Sequence, residues 1–150
     1  MHILDATQDT GFGAALEAAL LKDLYAASEQ GINSRVDLAI NVPDDALFAG
    51  LSGTTSYGWL RVNMIWVSQP YRRDGLGQKL MEQAFEVAQS RGCHSCWLET
   101  SNPSAYAFYT SLKFEVFGTL RNEADRAPER HARWFLRRTL VGPTPSPEQS

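Results

Sequence analysis

At 150 residues, 43% hydrophobic and 21% charged, the chain has the size and apolar content of a single globular domain with a substantial core. A formal net charge of -3 excludes recognition of nucleic acid or of an anionic membrane by bulk charge, so any anion site must be local. The opening "MHILDATQDTG" has no basic stretch leading into an apolar one, and no apolar run nears the roughly 20 residues of a membrane span, so a soluble cytoplasmic protein is expected.

In chain order, "GAALEAALLKDLYAASEQGI" puts Leu16, Leu20 and Leu24 on one helical face, and Gly31 ends the helix. Two β-rich stretches, Val36 to Val42 and Ala46 to Gly53, flank "PDD" and read as an antiparallel hairpin. "SGTTSYG" reads as a flexible polar connection. In "WLRVNMIWV" strict alternation sets Leu60, Val62, Met64 and Trp66 on one face of a strand and Trp59, Arg61, Asn63, Ile65 and Val67 on the other. A helix follows from Leu76 to Ser90, stopped by Gly92. "HSCWLET" is a strand, "PSAYAFYTSL" a short helix capped by Asn102 with Pro103 in its first turn, and "KFEVFG" and "ARWFLRRTL" are the last strands. The result is a mixed α/β domain over residues 1 to 141 with a disordered tail from 142 to 150.

Cys93 and Cys96 form a C-x-x-C, but the residues after them read as a strand and no second cysteine pair exists. A redox pair opening a helix and a zinc knuckle therefore both lack their context, and the expected role is small, buried packing, with no metal.

"QPYRRDGLGQKL", residues 69 to 80, joins a strand to a helix start. It is not the dinucleotide fingerprint, because Leu80 stands where the third glycine belongs, and not a Walker A loop, because Gln78 precedes Lys79. What remains is a loop of arginines and glycines whose exposed amides, with the positive end of the helix dipole, suit a phosphate or pyrophosphate. Ordinary turn glycines are the alternative.

This segment resembles the acyl-coenzyme A motif of the GNAT (Gcn5-related N-acetyltransferase) superfamily, R/Q-x-x-G-x-G/A after a central strand, with Arg72, Gly75 and Gly77 filling it. "NPSAYAFYTSLKF" is similar to the family's N-x-x-A-x-x-F-Y-x-x-x-G-F through Asn102, Ala105, Phe108, Tyr109 and Phe114, with Lys113 where glycine is frequent. The resemblance implies a GNAT-like, mostly antiparallel central sheet with flanking helices, splayed at the central strands. It implies acetyl-CoA as co-substrate, its pantetheine arm pairing with main chain of Ile65, Trp66 and Val67. The pyrophosphate would lie on the amides of Arg72, Arg73, Asp74, Gly75, Leu76, Gly77 and Gln78, and Asn102 would hydrogen-bond the pantetheine. Tyr109 would give a proton to the departing thiolate, a core aromatic being the alternative role.

Where several family members carry a strand glutamate as general base, this chain has Arg61 and Asn63. Glu99 on the neighbouring strand is the candidate base, with a solvated strand-end charge as its alternative, and His131 is a weaker one. The expected reaction is direct attack of an amine on the acetyl carbonyl, through an oxyanion facing main-chain amide near Val67, without an acyl-enzyme. Tyr57, Trp59, Arg61 and Asn63 are acceptor-side candidates, Arg61 facing an anionic group. The aromatic content there, with Trp134, favours a small-molecule amine over a peptide. A protein or peptide acceptor, and a non-catalytic acyl-CoA module, are the alternatives. A homodimer through the last strands, common in the family, is a further expectation.

Overall fold

The computed structural model describes residues 1–27, 33–41 and 47–140. The Gly31 helix stop, the "PDD" turn, the strand ends at Val42 and Ala46, and the tail lie outside these residues. The chain divides into two units, residues 1–31 and 32–150. In the first, α1 runs from Phe12 to Ala27, and the Asp9 carboxylate accepts from the Gly11 amide at 2.9 Å just ahead of it.

The second unit is built on strands β1 (Ser34–Asn41), β2 (Leu47–Ser56), β3 (Trp59–Val67), β4 (Ser95–Thr100), β5 (Glu115–Arg121) and β6 (Ala132–Thr139), with helices α2 (Leu76–Ser90) and α3 (Pro103–Ser111). The sheet order is β1-β2-β3-β4-β6-β5, and every neighbouring pair is antiparallel except the parallel β3 and β4. That parallel pair requires a crossover, which α2 supplies. Its buried face, Leu80, Met81, Ala84, Phe85 and Ala88, follows helical spacing and packs with Leu60, Val62, Leu98 and Leu136 of the sheet.

Two expectations are corrected. "SGTTSYG" is not a flexible connection: β2 extends through Ser56, and the tight turn is Tyr57-Gly58, with φ of +51° and +81° as a two-residue hairpin of type I′ requires. Pairing with β1 on one side and β3 on the other holds these small polar residues extended, overriding their weak strand propensity. The strict alternation of β3 also fails. Ser52 faces Met64 and Gly53 faces Val62, so Asn63 is an extra, bulged residue. Beyond it the faces exchange: Ile65 and Val67 pack on the core, whereas Met64 and Trp66 are exposed. One inserted residue moves every later side chain to the opposite face.

Candidate active site

β3 and β4 pair only over Trp59–Ser95, Leu60–Cys96 and Arg61–Trp97. β3 continues to Val67 and β4 to Thr100, each bonded on its outer side to β2 or β6, so their facing edges carry no ladder. A wedge with unpaired main-chain donors and acceptors therefore opens from Arg61 and Trp97 toward the loop that starts α2. Unpaired edges of this kind accept an extended ligand as an added strand.

The loop is braced before it reaches the helix. The Ser68 amide donates to Phe48 O at 2.8 Å, the Phe48 and Tyr71 ring centroids lie 3.5 Å apart, and Arg72 Nε donates to Val67 O at 2.9 Å. Arg73 takes φ +73° and Gly75 φ +78°, and Gly75 is the N-cap of α2 without a side-chain cap bond. A Cβ at Gly75 would meet nothing within 4 Å, so glycine is needed there for its left-handed backbone and not for space. A Cβ at Gly77 would stand 3.2 Å from Phe108 Cζ, so that glycine lets α2 approach α3. The first intrahelical bond runs from the Lys79 amide to Gly75 O, and among the described residues nothing accepts from the amides of Leu76, Gly77 and Gln78. Unused donors, the helix dipole and an open space beside Gly75 fit a pyrophosphate.

α3 carries the second motif. Asn102 Oδ1 accepts from the Ser104 and Ala105 amides at 2.8 and 3.5 Å, so the oxygen caps the helix and its Nδ2 is the group left for a ligand carbonyl. At the other end the Phe114 amide donates to Tyr109 O at 3.1 Å and the Lys113 amide to Thr110 O at 3.0 Å, with Lys113 at φ +66°. This is a Schellman ending, and it explains why glycine suits the position that Lys113 occupies. The Tyr109 and Phe114 rings, 5.7 Å apart, supply its apolar contact. Tyr109 is thus held rigidly and is only 5% exposed, and its hydroxyl makes no hydrogen bond among the described residues. Burial pushes its phenol up to about 12, with Cys96 adding to the effect, so it is a protonated donor at neutral pH.

Arg61 projects from the face opposite α2, its Cζ 4.7 Å from the Trp97 ring centroid. Glu99 follows Trp97 on the same face of β4, beyond the point where the strands part, and its Oε1 lies 4.0 Å from Arg133 Nη1. Asn63 is the bulge between them and the wedge. Tyr57 lies in the hairpin turn and Trp59 opens β3, edge-on to His94 at 5.7 Å. Trp59 shares the outer face of β3 with Arg61, two strand steps or about 6.6 Å along it, whereas Val67 at the other end of the strand is eight steps or ~26 Å away. His131 stands in the β5–β6 connection, where its carbonyl accepts from the Asn122 amide. Trp134 packs on Tyr106 at 4.9 Å.

Cys93 and Cys96 are free and buried, as packing residues should be. Burial raises both thiols, Cys96 to about 12, which removes them as nucleophiles. Trp97 and Arg133 were missed by sequence reasoning. Alternation from Glu99 was enough to find Trp97, but Arg133 is joined to Glu99 only by the β4–β6 pairing, for which the sequence holds no local signal.

With this geometry in view, the profile described as "Acetyltransferase (GNAT) family" matches residues 40–114. An acetyltransferase of Agrobacterium fabrum is 34% identical over 98 residues, covering 64% of this chain and 72% of that one. A crystal structure of an Agrobacterium tumefaciens protein, described as an acetyltransferase, superposes with a TM-score of 0.81 at 25% identity, covering 93% of this chain and 98% of that one. The Escherichia coli ribosomal protein bS18 alanine N-acetyltransferase is 40% identical over 60 residues, 39% of this chain and 40% of its own. On these matches the chain is a member of the GNAT family of acetyltransferases, an acyltransferase.

Proposed function

We propose that the protein transfers the acetyl group of acetyl-CoA to a primary amine of a small molecule by direct attack within a ternary complex. The observation that carries this reading is the parting of β3 and β4 after Arg61 and Trp97, with the Gly75 cradle at its open end. Acetyl-CoA, when bound, supplies a thioester as acyl donor. The amides of Arg73 to Gln78 would hold its pyrophosphate, the Arg72 amide already being given to Gln69 O at 3.3 Å, and the β3 edge of Ile65, Trp66 and Val67 together with Asn102 Nδ2 would align its arm. Glu99 accepts the proton released as the amine nitrogen bonds to the acetyl carbon, and Tyr109 Oη donates its proton to the sulfur as the carbon–sulfur bond breaks. A main-chain amide near Val67 faces the carbonyl oxygen as charge grows there.

A peptide amino terminus is the second reading, favoured by the likeness to the bS18 alanine N-acetyltransferase. Thiol release from acetyl-CoA, measured against amino compounds, antibiotics and peptides, tests both. Turnover of small amines with peptides inert supports the first, and the reverse result replaces it by the second. Absence of acetyl-CoA binding by isothermal titration removes both.

A further inference from the structure

We infer that the acceptor is a compact zwitterion, an amine whose own carboxylate or comparable anion lies within a few bonds of the nitrogen. This rests on the acetyltransferase reading and names the acceptor class of that same site.

The sheet of the second unit has two unlike faces. α2 and α3 fill one face, over buried Leu60, Val62, Leu98 and Leu136. Besides the β3 edge itself, the groups assigned to the cofactor belong to the helices of that side: the α2 amides, and Asn102 and Tyr109 of α3. A nucleophile must approach the acyl carbon from the side the cofactor arm leaves free, which is the face that bears Arg61, Trp97 and Glu99. Alternation requires this placement, because Arg61 lies between buried Leu60 and Val62, while Trp97 and Glu99 flank buried Leu98.

On that face the charges are unequal. Glu99 is 4.0 Å from Arg133, whereas Arg61 makes no ion pair among the described residues. Its guanidinium carbon instead lies 4.7 Å from the Trp97 ring centroid, a cation–π contact that consumes no N–H donor. A guanidinium beside an aromatic ring and still holding its donor edge suits a bidentate carboxylate, which a lysine at the same place would serve less well. Neighbouring strands are ~4.8 Å apart and two residues span ~6.6 Å, so Arg61 and Glu99 stand on the order of 8 Å apart at Cα. Long side chains close most of that interval. An amine directed to Glu99 and an anion directed to Arg61 therefore belong to one small molecule.

The test uses the full chain and L-amino acids paired with their own amides, which keep size and amine but lose the carboxylate. Isothermal titration into CoA-saturated protein reads binding, and thiol release reads turnover. The expected result is a preference of at least 10-fold for free acids over amides. In Arg61→Gln this ratio falls to within 2-fold through KM, with kcat and CoA affinity little changed. Arg61→Lys should recover part of the preference. Amides equal to acids, a ratio untouched by Arg61→Gln, or spermidine or peptides as the best acceptors would each overturn the inference. Should Arg61→Gln fail to fold, the acid-to-amide ratio of the unaltered protein decides alone. Acetyl-CoA binding with no acid preference sinks only the acceptor class, whereas failure of acetyl-CoA to bind sinks the acetyltransferase reading beneath it.

Discussion

The two ends of the β3–β4 pair are made from the same strands and do opposite work. At one end Trp59, Leu60 and Arg61 are bonded to Ser95, Cys96 and Trp97, Leu60 and Cys96 are fully buried, and Trp59 closes on His94. At the other end the same two strands turn away from each other, Met64 and Trp66 are exposed, and the groups nearby are a braced loop, unpaired amides and a phenol without a partner. Where main chain satisfies main chain, the molecule gains stability. Where it does not, the unsatisfied groups are available to a ligand.

That contrast can be tested from both sides. The largest effect belongs to the closed end: Leu60→Ala should cost about 2–5 kcal/mol of unfolding free energy, measured by denaturant titration, while the acetyl-CoA affinity of the folded fraction stays within a few-fold. An equal loss of affinity would show that the two ends are not separable. Next comes Tyr109→Phe, which removes a hydroxyl that no described residue uses. It should lower kcat by about 10²-fold and move stability by less than about 1 kcal/mol. In the parent enzyme a phenol pushed up to about 12 stays protonated well above its ordinary value of 10.0, so kcat should show no falling alkaline limb from this group below about pH 10. Such a limb that vanished in Tyr109→Phe would contradict the stated environment.

Smaller effects probe how the open end is shaped. Gly75→Val forces a β-branched residue to φ +78°, a strain of about 1–3 kcal/mol, and covers the amide cradle. Acetyl-CoA affinity should fall by about 10-fold or more by calorimetry, and an unchanged value would remove the loop from the site. Lys113→Gly should do the reverse to stability. Relief of a left-handed φ of +66° at the helix end is worth about 0.5–1 kcal/mol in thermal or chemical unfolding, with kcat unaltered.

Much of this was legible in the residues. The α2 and α3 helices, the Asn102 cap and the loop glycines follow from local spacing, because helices, caps and tight turns are decided among residues a few positions apart. The pairing of Arg72, Gly75 and Gly77 with Asn102 and Tyr109 was legible as a resemblance, and the fold and family agree with it. Less was readable where partners are distant. The bulge at Asn63 reverses the outer half of β3, and no feature of "WLRVNMIWV" announces it, since it exists only in register with β2. The place of Tyr57 and Trp59 at the closed end of the β3–β4 pair is likewise a matter of strand direction.

By itself, then, the sequence determined the helices and most of the strands, where backbone would be left bare at a helix start, and which family the chain resembles. Tertiary structure alone decided which side chains meet. Arg61 on Trp97, Glu99 beside Arg133, Gly77 against Phe108 and the partnerless phenol of Tyr109 all come from contacts between separate elements. The physical reason is that hydrogen-bond ladders and packing join residues tens of positions apart, and their register is set by the whole sheet and not by any local run.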